Sequence, residues 1–178
     1  PGQGSQYPGM VKDFYENFKS AREVLEEIED IKNINLKNFL FEDNSKLNLT
    51  KYTQICIFTA SIVILKVIEQ NSDLNYKNIN CMLGHSLGEY SALTSSKRIS
   101  LNDAANLIKT RGLIMNDSIE PNISGMAAVL GFNSLKIQEI IDTNNLKVFI
   151  ANDNSPHQIV ISGLNNDLNN SEKIFLSN

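Results

Sequence analysis

Cys81-Met82-Leu83-Gly84-His85-Ser86-Leu87-Gly88-Glu89-Tyr90 decides how this chain is read. Its centre, Gly84-His85-Ser86-Leu87-Gly88, fits the G-x-S-x-G pattern of a nucleophile elbow. In such an elbow a strand ends in a sharp turn and passes straight into a helix, with the serine at the apex. The turn forces the serine into a strained backbone conformation, and the flanking glycines remove side chains that would clash with it. The serine oxygen then stands clear of the sheet. The next backbone N–H, that of Leu87, points at the helix mouth and can stabilise a developing oxyanion. The flanks agree with this reading. Residues 79–83 read as a short buried strand, and residues 87–96 carry apolar residues at helical spacing.

The 178 residues suit one domain, or one domain with a subdomain, and a hydrophobic fraction of 42% supports a sizeable core. The net charge of −4 argues against a nucleic-acid partner, which would call for a basic patch. Cys56 and Cys81 sit in apolar runs and read as small buried hydrophobes in a reducing compartment. Two cysteines and two histidines give no metal-ligand spacing, so no metal is expected. The apolar run 55–68 is broken by Thr59, Ser61 and Lys66 and reads as a core helix, not a membrane span. No signal peptide is visible, so a cytoplasmic location is expected, or an organelle if a transit peptide preceded Pro1.

N-terminal to the elbow, Pro1-Gly2-Gln3-Gly4-Ser5-Gln6 is a glycine-rich loop whose backbone N–H groups suit a phosphate or an oxyanion. It lacks the ending of a P-loop. Loops of this kind follow a buried strand, so a first strand is expected ahead of Pro1. Residues 10–18 and 21–31 have the three-and-four spacing of surface helices. The acidic cluster at Glu26, Glu27, Glu29 and Asp30 is a solvated face. Residues 36–41 suit a short helix, 44–50 a loop, and 52–69 a long, mostly buried helix.

Past the elbow, Ser100-Leu101-Asn102-Asp103 is a capping-box pattern that opens a helix to about residue 116, carrying Arg111. Pro121-Asn122-Ile123 reads as a linker. Strands at 125–132, 146–151 and 158–162 then alternate with helices at 135–141 and from 167, with a turn at 153–156. This β-α-β-β-α order is a ferredoxin-like pattern short of its final strand. The expected architecture is therefore α/β. A core resembling the α/β-hydrolases, with a parallel sheet, occupies residues 1–122, and an incomplete ferredoxin-like subdomain occupies 123–178.

Three pieces together resemble the malonyl-CoA:acyl-carrier-protein transacylase family of fatty-acid biosynthesis, whose fold also serves as the acyltransferase domain of larger synthases. They are the loop Pro1 to Gln6, the elbow with Glu89-Tyr90-Ser91-Ala92, and Arg111-Gly112. Gly125-Met126-Ala127-Ala128-Val129-Leu130-Gly131 and Ala151-Asn152-Asp153-Asn154-Ser155-Pro156 also look like that family. The resemblance implies an acyltransferase that moves a malonyl group from malonyl-CoA to the phosphopantetheine thiol of acyl carrier protein through a malonyl-serine ester. Ser86 is implied as the nucleophile, the N–H groups of Gln3 and Leu87 as the oxyanion hole, and Arg111, Met126 and Asn152 as substrate-binding residues. An arginine fork suits a free carboxylate because it offers two parallel hydrogen bonds. Malonyl-CoA and acyl carrier protein are the implied partners, with neither nucleic acid nor membrane, no cofactor, and a monomeric state.

The family's base is a histidine that hydrogen-bonds the serine. His85 precedes Ser86 inside the turn and His157 begins a subdomain strand, so the catalytic histidine is expected beyond Asn178, in a chain truncated at both ends. Two other readings stay open: a serine hydrolase or thioesterase, which shares the Gly-His-Ser-Leu-Gly elbow, and an inactive fragment or docking module of an acyltransferase. For docking an acidic carrier, Lys97, Arg98 and Lys109 are the candidate cations.

Overall fold

The computed structural model describes residues 1–42, 45–118, 120 and 123–177. The chain divides into two compact units, Pro1–Ser118 and Ile119–Asn178. Pro121 and Asn122, read as part of a linker, and Asn44, read as the start of a loop, lie outside the described residues.

The described residues of the first unit hold six α-helices: α1 (Lys12–Asn17), α2 (Lys19–Lys32), α3 (Leu36–Phe41), α4 (Thr50–Asn71), α5 (Gly88–Ser95) and α6 (Leu101–Asp117). Helix α4 is the axis. Its residues Thr53 to Ala60 are buried without a break, because α2 and α6 both pack on it. Its β-branched Ile, Val and Thr residues lower helix propensity, and tertiary burial overrides that weak preference. The buried hydroxyls are satisfied internally: Thr53 Oγ1 donates to the Leu47 carbonyl at 2.6 Å and Thr59 Oγ1 to the Ile55 carbonyl at 2.8 Å. By length and composition α4 is the one helix among the described residues able to cross a membrane, but 61% of its apolar window is buried, which marks a core helix.

Helix α6 starts where its capping pattern says. Ser100 Oγ accepts from the Asp103 N–H at 3.1 Å and donates to the Asp103 carboxylate at 2.7 Å. Further along α6, Gly112 lies against α4. A Cβ there would stand 3.2 Å from Lys51 Cα and 3.3 Å from the Thr50 and Lys51 carbonyl oxygens, so only glycine lets the two helices approach this closely.

The expected parallel sheet of an α/β-hydrolase-like core is not found. Residues 79–83 have no regular secondary structure, and no strand among the described residues of this unit pairs with them. Cys81 is exposed and Leu83 is 87% exposed. A strand is defined by its ladder, and an apolar run with no neighbour to receive its N–H and C=O groups stays a coil.

The second unit has the order β1 (Ser124–Leu130), α7 (Ser134–Thr143), β2 (Val148–Ser155), β3 (Gln158–Leu164) and α8 (Asn165–Leu176). Its three strands form one sheet in the order β1-β3-β2, antiparallel throughout, with Ala127 opposite Ile161 and Ile161 opposite Ile150. Ile137, Ile140, Ile141, Val148, Ile159, Ile161 and Phe175 make its core. A ferredoxin-like subdomain is not indicated: among the described residues this unit holds one three-stranded, wholly antiparallel sheet. The turn expected at 153–156 is also displaced. Strand β2 continues to Ser155 through register shifts between Ile150 and Asn152 and between Asp153 and Ser155, so bulges absorb the polar residues that read as a turn.

Candidate active site

Ser86 is exposed and has φ 54°, in the left-handed region that a non-glycine residue enters only under constraint. The constraint is local. The Gly88 N–H donates to the His85 carbonyl at 2.9 Å and the Glu89 N–H to the Ser86 carbonyl at 3.2 Å, closing the turn directly onto α5. The completely buried Leu87 side chain fastens the turn to the core. Gly84 makes the closure possible: a Cβ on it would lie 1.9 Å from the carbonyl carbon and oxygen of Gly88. The elbow thus forms as read, although the segment before it is not a strand. The Leu87 N–H stands at the N-terminal end of α5, where backbone N–H groups have no intrahelical acceptor and the helix dipole favours negative charge.

Arg111 reaches the nucleophile from α6. Its Nη2 donates to Ser86 Oγ at 2.9 Å. Its Nη1 donates to Gln54 Oε1 on α4. The side-chain amide of Gln54 is in turn within 3.3 Å of Gln3 Oε1 and of Met115 Sδ, and Gln3 Nε2 donates to Thr50 Oγ1 at 3.1 Å. One hydrogen-bonded line therefore runs from the N-terminal loop through Gln3, Gln54 and Arg111 to Ser86. The loop itself is braced by Ser5 Oγ on the Gly2 carbonyl at 2.8 Å and by the Gly4 N–H on Gln6 Oε1 at 2.9 Å.

Among the described residues no carboxylate forms an ion pair with Arg111, which is half-buried. A guanidinium that is partly removed from water and lacks a counter-charge is an arrangement for an anion that arrives from outside. No group of three or more His, Cys, Asp or Glu side chains among the described residues could hold a metal ion.

The first unit brings together Ser86, Leu87, Arg111 and Gln3 of the residues singled out from the sequence. Met126 and Asn152 belong to the second unit. Met126 is exposed on β1 and paired with Ser162, and Asn152 sits at the first bulge of β2, opposite Val160. His85 lies beside the N-terminal loop, where a Cβ on Gly2 would come within 2.9 Å of its Nδ1. His157 is exposed in the turn between β2 and β3, and its carbonyl accepts from the Gly131 N–H at 2.9 Å. Gln54 was not singled out. Its signal in the sequence is an amide inside the most apolar helix of the chain, at 1% exposure, where a polar group needs named partners.

The model of the acyl transferase domain matches residues 1–172. The chain belongs to the acyl transferase domain family. The malonyl CoA-acyl carrier protein transacylase of Bacillus subtilis (strain 168) is 36% identical over 168 residues, covering 92% of this chain and 51% of the relative. The solved acyl-carrier-protein-S-malonyltransferase of Bartonella henselae superposes with a TM-score of 0.89 at 36% identity, covering 99% of this chain and 57% of that one. A malonyl-transacylase solved in complex with its type II acyl-carrier protein has a TM-score of 0.87 at 28% identity, covering 99% and 57%. This acyl transferase chain spans about half the length of the curated relatives it matches.

Proposed function

We propose that the protein transfers a malonyl group from malonyl-CoA to the phosphopantetheine thiol of acyl carrier protein, with Ser86 as the nucleophile, as a step of fatty-acid biosynthesis in the cytoplasm. The observation that carries the reading is the placement of Arg111. It is a half-buried guanidinium without a carboxylate partner among the described residues, 2.9 Å from Ser86 Oγ. A donor that carries a thioester at one end and a free carboxylate at the other fits that pair.

In the first half-reaction Ser86 Oγ bonds to the thioester carbonyl carbon, the C–S bond breaks, and the hydroxyl proton ends on the departing CoA thiol. In the second, the carrier thiol bonds to the same carbon, the C–O bond breaks, and Ser86 recovers a proton. The backbone N–H groups of Leu87 and Gln3 take the role of the oxyanion hole. Arg111 holds the malonyl carboxylate. The proton shuttle is assigned to neither His85, whose ring faces Gly2, nor His157, which is exposed on a turn.

The test is intact-mass analysis of the full-length protein after incubation with malonyl-CoA or acetyl-CoA. A malonyl adduct is expected that is absent in Ser86→Ala, that outweighs the acetyl adduct, and that falls roughly 30-fold or more in Arg111→Ala, the loss that goes with removing one partner of a hydrogen-bonded charge pair. No adduct with either donor in a folded protein rules the reading out. Malonate released without any acceptor thiol would make the protein a hydrolase instead.

A further inference from the structure

We propose that the Arg111–Ser86 hydrogen bond is a latch that the carboxylate of the acyl donor lifts. Arg111 then selects its substrate twice, once by binding the carboxylate and once by releasing the nucleophile. The inference rests on the reading of Arg111 as the carboxylate clamp.

The geometry separates the two arms of one guanidinium. Nη1 is pinned on Gln54, whose amide is buried and has its nitrogen within reach of Gln3 and Met115. Nη2 rests on Ser86 Oγ at 2.9 Å, at the exposed end of the line. A carbonyl carbon has to come within about 3–3.5 Å of Oγ before a bond forms. Nη2 occupies part of that same shell, and its N–H takes up a lone pair of the oxygen that must attack. While the bond stands, Ser86 is screened.

A carboxylate changes the balance. A hydrogen bond charged on both sides is shorter and roughly twice as strong as one between neutral groups, and the guanidinium fork matches a carboxylate with two parallel bonds. Nη2 therefore exchanges the neutral hydroxyl for the anion, while Nη1 stays on Gln54 and acts as the pivot. An acetyl donor offers no anion for this exchange, so it meets a serine still under its latch.

The experiment uses a neutral serine reagent without a carboxylate, phenylmethanesulfonyl fluoride, on the full-length protein. Its rate of attachment to Ser86 is followed by intact mass and located by peptide mapping. Sodium acetate should accelerate wild-type modification about tenfold over chloride at equal ionic strength, the factor that goes with giving up one hydrogen bond to a charged group. Arg111→Ala should react at that faster rate without acetate and should not respond to it. The latch is overturned if acetate leaves the wild-type rate unchanged or lowers it, or if Arg111→Ala reacts no faster than wild type. The acetate arm needs no variant, so a misfolded Arg111→Ala does not spare the proposal. Malonyl transfer is measured on the same preparation. If it occurs without an acetate effect, the latch alone fails; if it does not occur, the clamp reading beneath it fails.

Discussion

Gln54 on α4 and Arg111 on α6 stand 57 positions apart in the chain, and the buried Gln54 amide accepts a hydrogen bond from the Arg111 guanidinium. The bond fixes one arm of a long, flexible side chain to the buried stretch of α4. Gln54→Leu removes the acceptor and keeps the bulk, which frees the guanidinium to sample solvent. The preference for malonyl over acetyl donors should fall about tenfold, in line with a hydrogen bond to a charged group. Gln54→Glu should act differently. It hands Arg111 a resident carboxylate that competes with the substrate's own, so KM for malonyl-CoA should rise more than kcat falls. Steady-state rates with both donors check the pair, and equal effects on kcat in both variants would remove Gln54 from the clamp.

Gly84 has no space for a side chain. With the Gly88 carbonyl 1.9 Å from any Cβ at position 84, Gly84→Ala has to move backbone on one side of the elbow or the other. A loss of about 3 kcal/mol or more is expected, the range of substitutions that force backbone out of a packed site. In a chain of this size that lowers Tm by roughly 10 °C. Thermal unfolding followed by circular dichroism is the measurement, and a Tm within a degree or two of wild type would show that the elbow relaxes freely.

The elbow was legible because its cause is local: a serine at positive φ between glycines is written in five consecutive residues. The cap of α6 was legible for the same reason, through Ser100 and Asp103. Gln54 was not, since nothing near it in sequence names Gln3, Met115 or Arg111 as partners. Residues 79–83 have the composition of a buried strand, but a strand exists only through a neighbour, and composition does not report one. The polar run after Ile150 misled in the opposite direction, because two bulges let Asn152 and Asp153 remain in a ladder where a turn is the ordinary outcome.

The two cysteines should separate cleanly in reactivity. Cys56 lies in the buried stretch of α4, and burial pushes its thiol up to about 12, while Cys81 is exposed beside the elbow. The thiolate is the reactive form, so an aromatic disulfide reagent at mildly alkaline pH should titrate one thiol promptly and the second only after denaturant is added. Cys81→Ser should abolish the prompt phase. Two prompt thiols in the native protein would mean that α4 opens far more readily than its packing implies.

Tyr76 and Glu69 tie the end of α4 to the segment that leads into the elbow, and their bond makes stability depend on pH at both extremes. The Tyr76 hydroxyl donates to Glu69, whose other oxygen accepts from Lys66 Nζ at 2.7 Å. Burial, then the hydrogen bond to Glu69 and its negative charge, push the Tyr76 phenol up to about 12 from its ordinary value of 10.0. The folded protein therefore holds this proton more tightly than the unfolded chain. That contribution is complete below pH 10.0 and is lost as pH rises toward about 12. For Glu69, burial acts to raise the carboxyl, but the hydrogen bonds from Lys66 and Tyr76 outweigh it and hold the group below its ordinary value of 4.5. Its contribution is present above that value and disappears as pH falls through the lowered one. Tyr76→Phe removes the proton and the hydrogen bond together. Denaturant midpoints measured across the alkaline range should fall more steeply for wild type than for Tyr76→Phe. Phenolate absorbance should show a late-titrating tyrosine in wild type that is missing from the variant. Parallel alkaline curves for the two proteins would mean that the Tyr76–Glu69 bond contributes nothing to holding that segment.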